Sequence, residues 1–397
     1  MPDAPREVWI TGIGMVSCLG EGADTHWQGL NEGRLCLDTK SFAPYLVHAL
    51  APLDLDRQIP KKSDQRQMEG WQRIGTYAAG LALENAGLKG NRELLARTDM
   101  IIAAAGGERD TTVDGNVLSD KAKSANPGAF LNERLMSDLR PTLFLAQLSN
   151  LLAGNISIVH GVTGSSRTFM GEEAAGVDAV RIALARILAG QSDLALVGGS
   201  YNGERKDLLL LYDSGGYLMR GSFKPVWDRS ASPGMVLGSL GAFLVVEART
   251  HAQARGAKPL ARLLTVLSER SSRPAQAVTR TLDQMWQKLA PQREGARTAI
   301  ISGATGTEPA TSEERAWLKT VPDLPVRASG SKLGHGFEPQ FPMNIALATL
   351  VLGREKLFPA SDSSGVELEH DGPFDQVVVT SVGHWRGEGM ALVEAMK

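Results

Sequence analysis

Between Val177 and Gly199 the sequence changes period. Val177, Val180, Leu184 and Ile187 recur at spacings of three and four and stop at Gly190; Asp193-Leu-Ala-Leu-Val197 follows at once and ends on Gly198-Gly199. A helical period running straight into a short apolar run predicts a helix that feeds a buried strand, the unit from which α/β sheets are built. The same alternation is found elsewhere. Val8-Trp9-Ile10 predicts a strand closed by a glycine turn at Thr11-Gly12-Ile13-Gly14, residues 71–87 an amphipathic helix capped by Gly87, and residues 99–105 a buried strand. Residues 236–247 are strand-like, and residues 252–258 read as a helix end and hinge. Past this hinge the theme repeats, with strands at 298–302 and 376–381 around a buried helix at 343–353. Two strand endings also match: Gly241-Ala-Phe-Leu-Val-Val-Glu247-Ala248 and Gly389-Met-Ala-Leu-Val-Glu394-Ala395. These features predict a duplicated α/β chain with halves at 1–250 and 251–397.

Composition removes several function classes. With 42 basic and 44 acidic residues and a net charge of -2, nothing calls for nucleic acid or an anionic membrane. No run approaches the roughly 18 apolar residues of a membrane helix. The opening Met-Pro-Asp-Ala-Pro-Arg lacks the apolar core of a signal peptide, so a cytoplasmic protein with no membrane span is expected. Two cysteines, Cys18 and Cys36, do not make a disulfide scaffold.

The usual chemical motifs are missing too. There is no phosphate-binding loop, no His-Glu-x-x-His and no Gly-x-Ser-x-Gly. The pairs Gly12/Gly14 and Gly387/Gly389 lack the third glycine of a dinucleotide site, so no cofactor and no metal ion is expected. Most of the seven histidines are expected at the surface. Two stand apart in glycine-rich stretches able to aim an imidazole into a site: His335 between Gly334 and Gly336, and His384 after Gly383. Glu172 and Glu173 open the helix of the 177–187 unit, where acidic side chains complement the helix dipole.

Taken jointly, Thr11-Gly-Ile-Gly-Met-Val-Ser17 with Leu19-Gly20, Leu152-Ala-Gly-Asn-Ile-Ser-Ile158, Gly190-Gln-Ser-Asp193 with Val197-Gly-Gly199, residues 252–258 and Gly334-His335 resemble the β-ketoacyl-acyl-carrier-protein synthases, the condensing enzymes of fatty acid and polyketide synthesis. The resemblance implies a thiolase-like fold, two related α/β halves in a layered αβαβα arrangement that dimerises. It also implies a nucleophilic cysteine at a buried helix N-terminus, where dipole and free amides favour thiolate, assisted by two histidines. This chain departs from that pattern at the site. Carried over residue by residue, the cysteine position falls on Glu173, the first histidine on Gly303 of Gly303-Ala-Thr-Gly-Thr307, the lysine on Gly330, and the gating phenylalanine on His384. Ser331, Gly334 and His335 remain, whereas the family's Gly-Glu-Gly reads Gly238-Ser239-Leu240. Neither Cys18, where relatives carry proline, nor Cys36 coincides with the nucleophile.

Glu172-Glu173-Ala-Ala-Gly176 is similar to the Glu-Gln-Ala-Gly-Gly of polyketide chain-length factors, non-condensing partners of an active synthase. The resemblance therefore implies such a partner subunit, in a homodimer or in a heterodimer with a cysteine-bearing synthase. The alternatives are a stand-alone acyl-carrier-protein decarboxylase or hydrolase using Glu173, His335 and His384, or an atypical 3-oxoacyl synthase. An acidic acyl carrier protein is the expected partner, with Lys61, Lys62 and Arg66 as its docking residues.

Overall fold

The computed structural model describes residues 6–138, 145, 147–321 and 324–396. Its strands are β1 (Val8–Ser17), β2 (Gly20–Glu21), β3 (Val47–His48), β4 (Asp99–Ala103), β5 (Ser166–Phe169), β6 (Leu194–Tyr201), β7 (Leu237–Gly238), β8 (Leu240–Ala248), β9 (Ala261–Glu269), β10 (Thr298–Ser302), β11 (Val326–Ala328), β12 (Gln376–Val382) and β13 (Glu388–Ala395). All but β3 and β7 join one sheet in the order β11-β10-β12-β13-β9-β1-β8-β6-β4-β5, with β2 folded back on β1.

That order reads alike from either end. Going inward from β5, the pairings are parallel with β4, parallel with β6, then antiparallel through β8 to β1. Going inward from β11, they are parallel with β10, parallel with β12, then antiparallel through β13 to β9. The sides meet where Trp9 and Ile10 of β1 face Arg262 and Ala261 of β9. The matching Glu-Ala endings at 247–248 and 394–395 thus belong to β8 and β13, strands in equivalent places. This is the duplication expected from the sequence.

Helices separate and cover the two sides. Gly70–Asn85 lays Trp71, Ile74, Ala78 and Ala82 against Phe243 and Val245 on one outer face. Ala277–Arg293 and Ala310–Leu318 cover Ile300, Val378 and Leu392 on the other. Between them Glu173–Leu188 and Gln340–Arg354 form a middle layer, with Val177, Val180 and Leu184 sharing one apolar core with Phe341, Ile345 and Leu347. Helix, sheet, helix, sheet, helix is the thiolase-like αβαβα order. No helix among the described residues is long and apolar enough to cross a membrane.

Several boundaries differ from expectation for physical reasons. The strand expected to end in a glycine turn continues through Gly12 and Gly14 to Ser17. Its glycines serve close packing: a Cβ on Gly14 would lie 2.1 Å from the carbonyl oxygen of Ala78, and one on Gly12 2.5 Å from that of Ala82. The helix Gly70–Asn85 therefore sits directly on the β1 backbone. The strand expected over 236–247 is broken at Ser239, a buried residue whose hydroxyl bonds Glu204 at 2.8 Å. The 99–105 strand stops at Ala103, and the 343–353 helix already begins at Gln340.

Candidate functional site

The middle-layer helix Glu173–Leu188 begins at the sheet end where β12 runs out. Glu172, its N-cap, has φ 56° and ψ -133°, a conformation that an L residue holds only under strain from its surroundings. The turn drives Glu173 inward, leaving it only 3% exposed. Two distant segments close on its carboxylate. The short helix Gly330–Leu333 leads through Gly334 to His335, whose Nε2–H donates to Glu173 Oε1 at 2.8 Å. Gly383 follows β12, and the next residue, His384, donates its backbone N–H and its Nδ1–H to the same oxygen at 3.1 and 3.0 Å.

Burial alone would raise the Glu173 carboxyl. The hydrogen bonds from His335 and His384, with the positive charge these rings carry when protonated, outweigh it and hold the carboxyl well below the usual carboxylate range. A carboxyl held low by such donors is a weaker base than an ordinary one.

Glu172 seals the site outward. Its carboxylate accepts from the Trp385 indole at 2.6 Å and from the Tyr212 hydroxyl at 3.3 Å. Aromatic rings pack His384 on several sides, Tyr217 at 4.7 Å, Phe337 at 5.5 Å and Tyr212 at 5.6 Å between centroids. Beyond this wall lies a cavity of about 510 Å³ lined by Glu172, Tyr201, Tyr212, Glu338, Trp385 and Arg386. Glu338 is 2% exposed, and burial, together with the charges of Glu173 and Glu172, pushes its carboxyl up to about 8.

The other singled-out residues fall into place around this centre. His335 is 2% exposed and bridged on both sides, its N–H to Val236 and its carbonyl to Gly238. Gly303 follows β10 in a buried turn. A Cβ there would lie 2.7 Å from Thr380 O and 3.3 Å from Asn344 Nδ2, so the position is closed to any side chain without movement of β12. Gly330 is also buried, but its Cβ would meet Ala304 O and Val226 Cγ2 only at 3.2 Å. Cys18 is buried elsewhere, its thiol donating to Lys332 O at 3.4 Å. Lys61, Lys62 and Arg66 are exposed around the helix Lys62–Gln67, with Lys62 paired to Asp56 at 2.6 Å.

The histidines are mostly inside, contrary to expectation. His26 and His48 are fully buried, and burial lowers them to about 4 and about 3. His26 meets Ser17 Oγ at 2.8 Å and Gly22 O at 2.7 Å, which satisfies both ring nitrogens. Of the seven only His370 is exposed. Tyr212, Phe337, Glu338 and Trp385 had no sequence signal of their own. Their adjacency to His335 and His384 along the chain was the available hint for the last three.

The comparisons agree with this architecture. Residues 5–252 match the family model described as Beta-ketoacyl synthase, N-terminal domain. The chain belongs to the beta-ketoacyl synthase family. It is 26% identical over 264 residues to a 3-oxoacyl-[acyl-carrier-protein] synthase 2 of Vibrio cholerae, a match covering 64% of this chain and 60% of that protein. The chain thus spans under two thirds of that relative's length. It is 25% identical over 382 residues to the tetracenomycin polyketide synthase ketoacyl synthase beta subunit of Streptomyces glaucescens, covering 91% and 89%. Among solved structures, the ishigamide ketosynthase/chain length factor superposes with a TM-score of 0.81 at 20% identity, over 99% of this chain and 100% of that one. A beta-ketoacyl synthase from Burkholderia phymatum does so with 0.79 at 19% identity, again over 99% and 100%. At these identities the superpositions speak for the fold.

Proposed function

We propose that this chain is a non-condensing, chain-length-factor-like subunit of fatty acid or polyketide synthesis, paired with a cysteine-bearing synthase. The observation that carries the reading is Glu173 at the N-terminus of the buried helix, its Oε1 held by His335 at 2.8 Å and His384 at 3.0 Å. A thiolate there accepts an acyl group, holds it as a thioester and is released again when the acyl group moves on. A carboxylate would form a mixed anhydride, and this one is deactivated by its donors.

Other features support the same reading. Gly303 stands where active relatives carry their first catalytic histidine, and its surroundings leave no room for an imidazole. The lysine position is Gly330. The wall formed by Glu172, Tyr212 and Trp385 separates Glu173 from the outer cavity, which disfavours a stand-alone decarboxylase or hydrolase using Glu173 as base.

A partner surface is also available. β5 is the last strand of its side of the sheet, and such an edge is a template for pairing with another chain. Ile158, in the helix that leads into it, is 71% exposed, and Met170, which follows it, 61%. Carrier-protein docking through Lys61, Lys62 and Arg66 belongs to the same proposal. The ketosynthase subunit of a type II system has been solved with its acyl carrier protein, and that complex shares this fold with a TM-score of 0.76 at 18% identity, over 99% of this chain and 100% of that chain.

The test is co-expression with a cysteine-bearing synthase from the same source. Co-purification in a 1:1 complex is expected, and the purified chain alone should release no carbon dioxide from malonyl-carrier protein. Turnover by the isolated chain overturns the reading.

A further inference from the structure

Glu172, Glu173 and His384 bring one ligand atom each to within 4.8 Å of one another, at the wall between the buried site and the 510 Å³ cavity. Two carboxylates and an imidazole are a common donor set for a divalent first-row metal, whose bonds of about 2.0–2.2 Å set ligand atoms roughly 3–4 Å apart, so only small closure is needed. A second, independent observation points the same way. Glu338 is 98% buried by its 2% exposure, lines the same cavity, and one of its carboxyl oxygens, Oε2, has no hydrogen-bond partner. A buried carboxyl oxygen without a partner is costly unless something polar meets it.

We propose that Glu172, Glu173 and His384 bind one divalent transition-metal ion, with Glu338 accepting from or donating to a metal-bound water in the cavity. The surroundings suit such a site. Trp385 holds Glu172 Oε2 at 2.6 Å, which turns Oε1 toward His384 Nε2 at 3.9 Å. His335 holds Glu173 at 2.8 Å and acts as an outer donor of the kind that orients metal ligands. The ion neutralises two adjacent carboxylates and takes the Nε2 of His384, which leaves the Nδ1–H of that ring on Glu173 Oε1. None of this depends on the partner-subunit reading, because the ligands all come from one chain.

The experiment is calorimetric titration of chelator-treated full-length protein with ZnCl₂, MnCl₂ and MgCl₂, with cobalt absorption as a spectroscopic readout. Saturable binding of one Zn²⁺ or Mn²⁺ per chain is expected, with Mg²⁺ much weaker and visible Co²⁺ bands. Glu172→Gln should weaken binding by more than about tenfold, and Glu338→Gln by about tenfold, as outer-shell changes do. His370→Ala, at an exposed histidine, should change nothing. Circular dichroism confirms that each variant is folded, and Glu172, being part-exposed, tolerates glutamine. No saturable binding, equal affinity for Mg²⁺, or wild-type affinity in Glu172→Gln overturns the proposal. Failure here leaves co-purification with a synthase untouched.

Discussion

His335 Nε2 lies 2.8 Å from Glu173 Oε1, joining residues 162 apart in the chain at the N-terminus of the middle-layer helix. The pair helps hold the Glu173 carboxyl below its ordinary range, and its consequences are measurable in both stability and chemistry.

Glu173→Ala leaves two buried imidazoles without their acceptor and should cost about 2 kcal/mol or more. Glu173→Gln keeps the shape but not the charge. Because the folded carboxyl lies below its ordinary value near 4.5, the charge contributes stability that is present above that value and is lost as the pH falls below it. Urea unfolding of wild type and Glu173→Gln should therefore differ most at pH 7 and converge toward pH 3. A constant difference across that range contradicts the assignment.

Restoring a thiol should not restore condensation. Glu173→Cys alone lacks the first histidine, and Gly303→His drives a Cβ to 2.7 Å from Thr380 O. The double variant is expected to unfold about 1–3 kcal/mol more easily, as overpacked cores do, and to make no elongated product in a radiolabelled malonyl assay.

Gly14→Ala probes the contact between the helix Gly70–Asn85 and β1. The new methyl would lie 2.1 Å from a backbone oxygen that cannot rotate away, so a loss above about 2 kcal/mol is expected in urea unfolding. Gly33→Ala, with nothing near its Cβ but φ 65°, should show only a smaller backbone cost.

Ile158→Asp with Met170→Asp tests the partner surface. Both side chains are exposed, so the melting temperature of the isolated chain should barely move. Co-purification with a synthase should fall sharply. Unchanged co-purification places the partner on another face.

Much of the fold was legible because it is written in local periods. The 177–187 repeat and the apolar strands at 298–302 and 376–381 survived with small boundary shifts. Gly12 and Gly14 were misread as a turn because a glycine's tolerance for tight packing and its tolerance for turning look alike in sequence. His335 and His384 stand out by their glycine-rich settings and Glu173 by its place at a helix start, but only the family resemblance brings the three to one site. The wall of Tyr212, Phe337 and Trp385 arises from long-range packing that no local pattern encodes.

Product analysis of a reconstituted pair decides whether this chain is a non-condensing partner. A cysteine-bearing synthase, this chain, acyl carrier protein and malonyl donor are combined, and each subunit is inactivated in turn. Elongation should require the partner's cysteine and the presence of this chain, Glu173→Gln should leave it intact, and this chain alone should make nothing. Elongation by this chain alone, abolished by Glu173→Gln, would contradict that role.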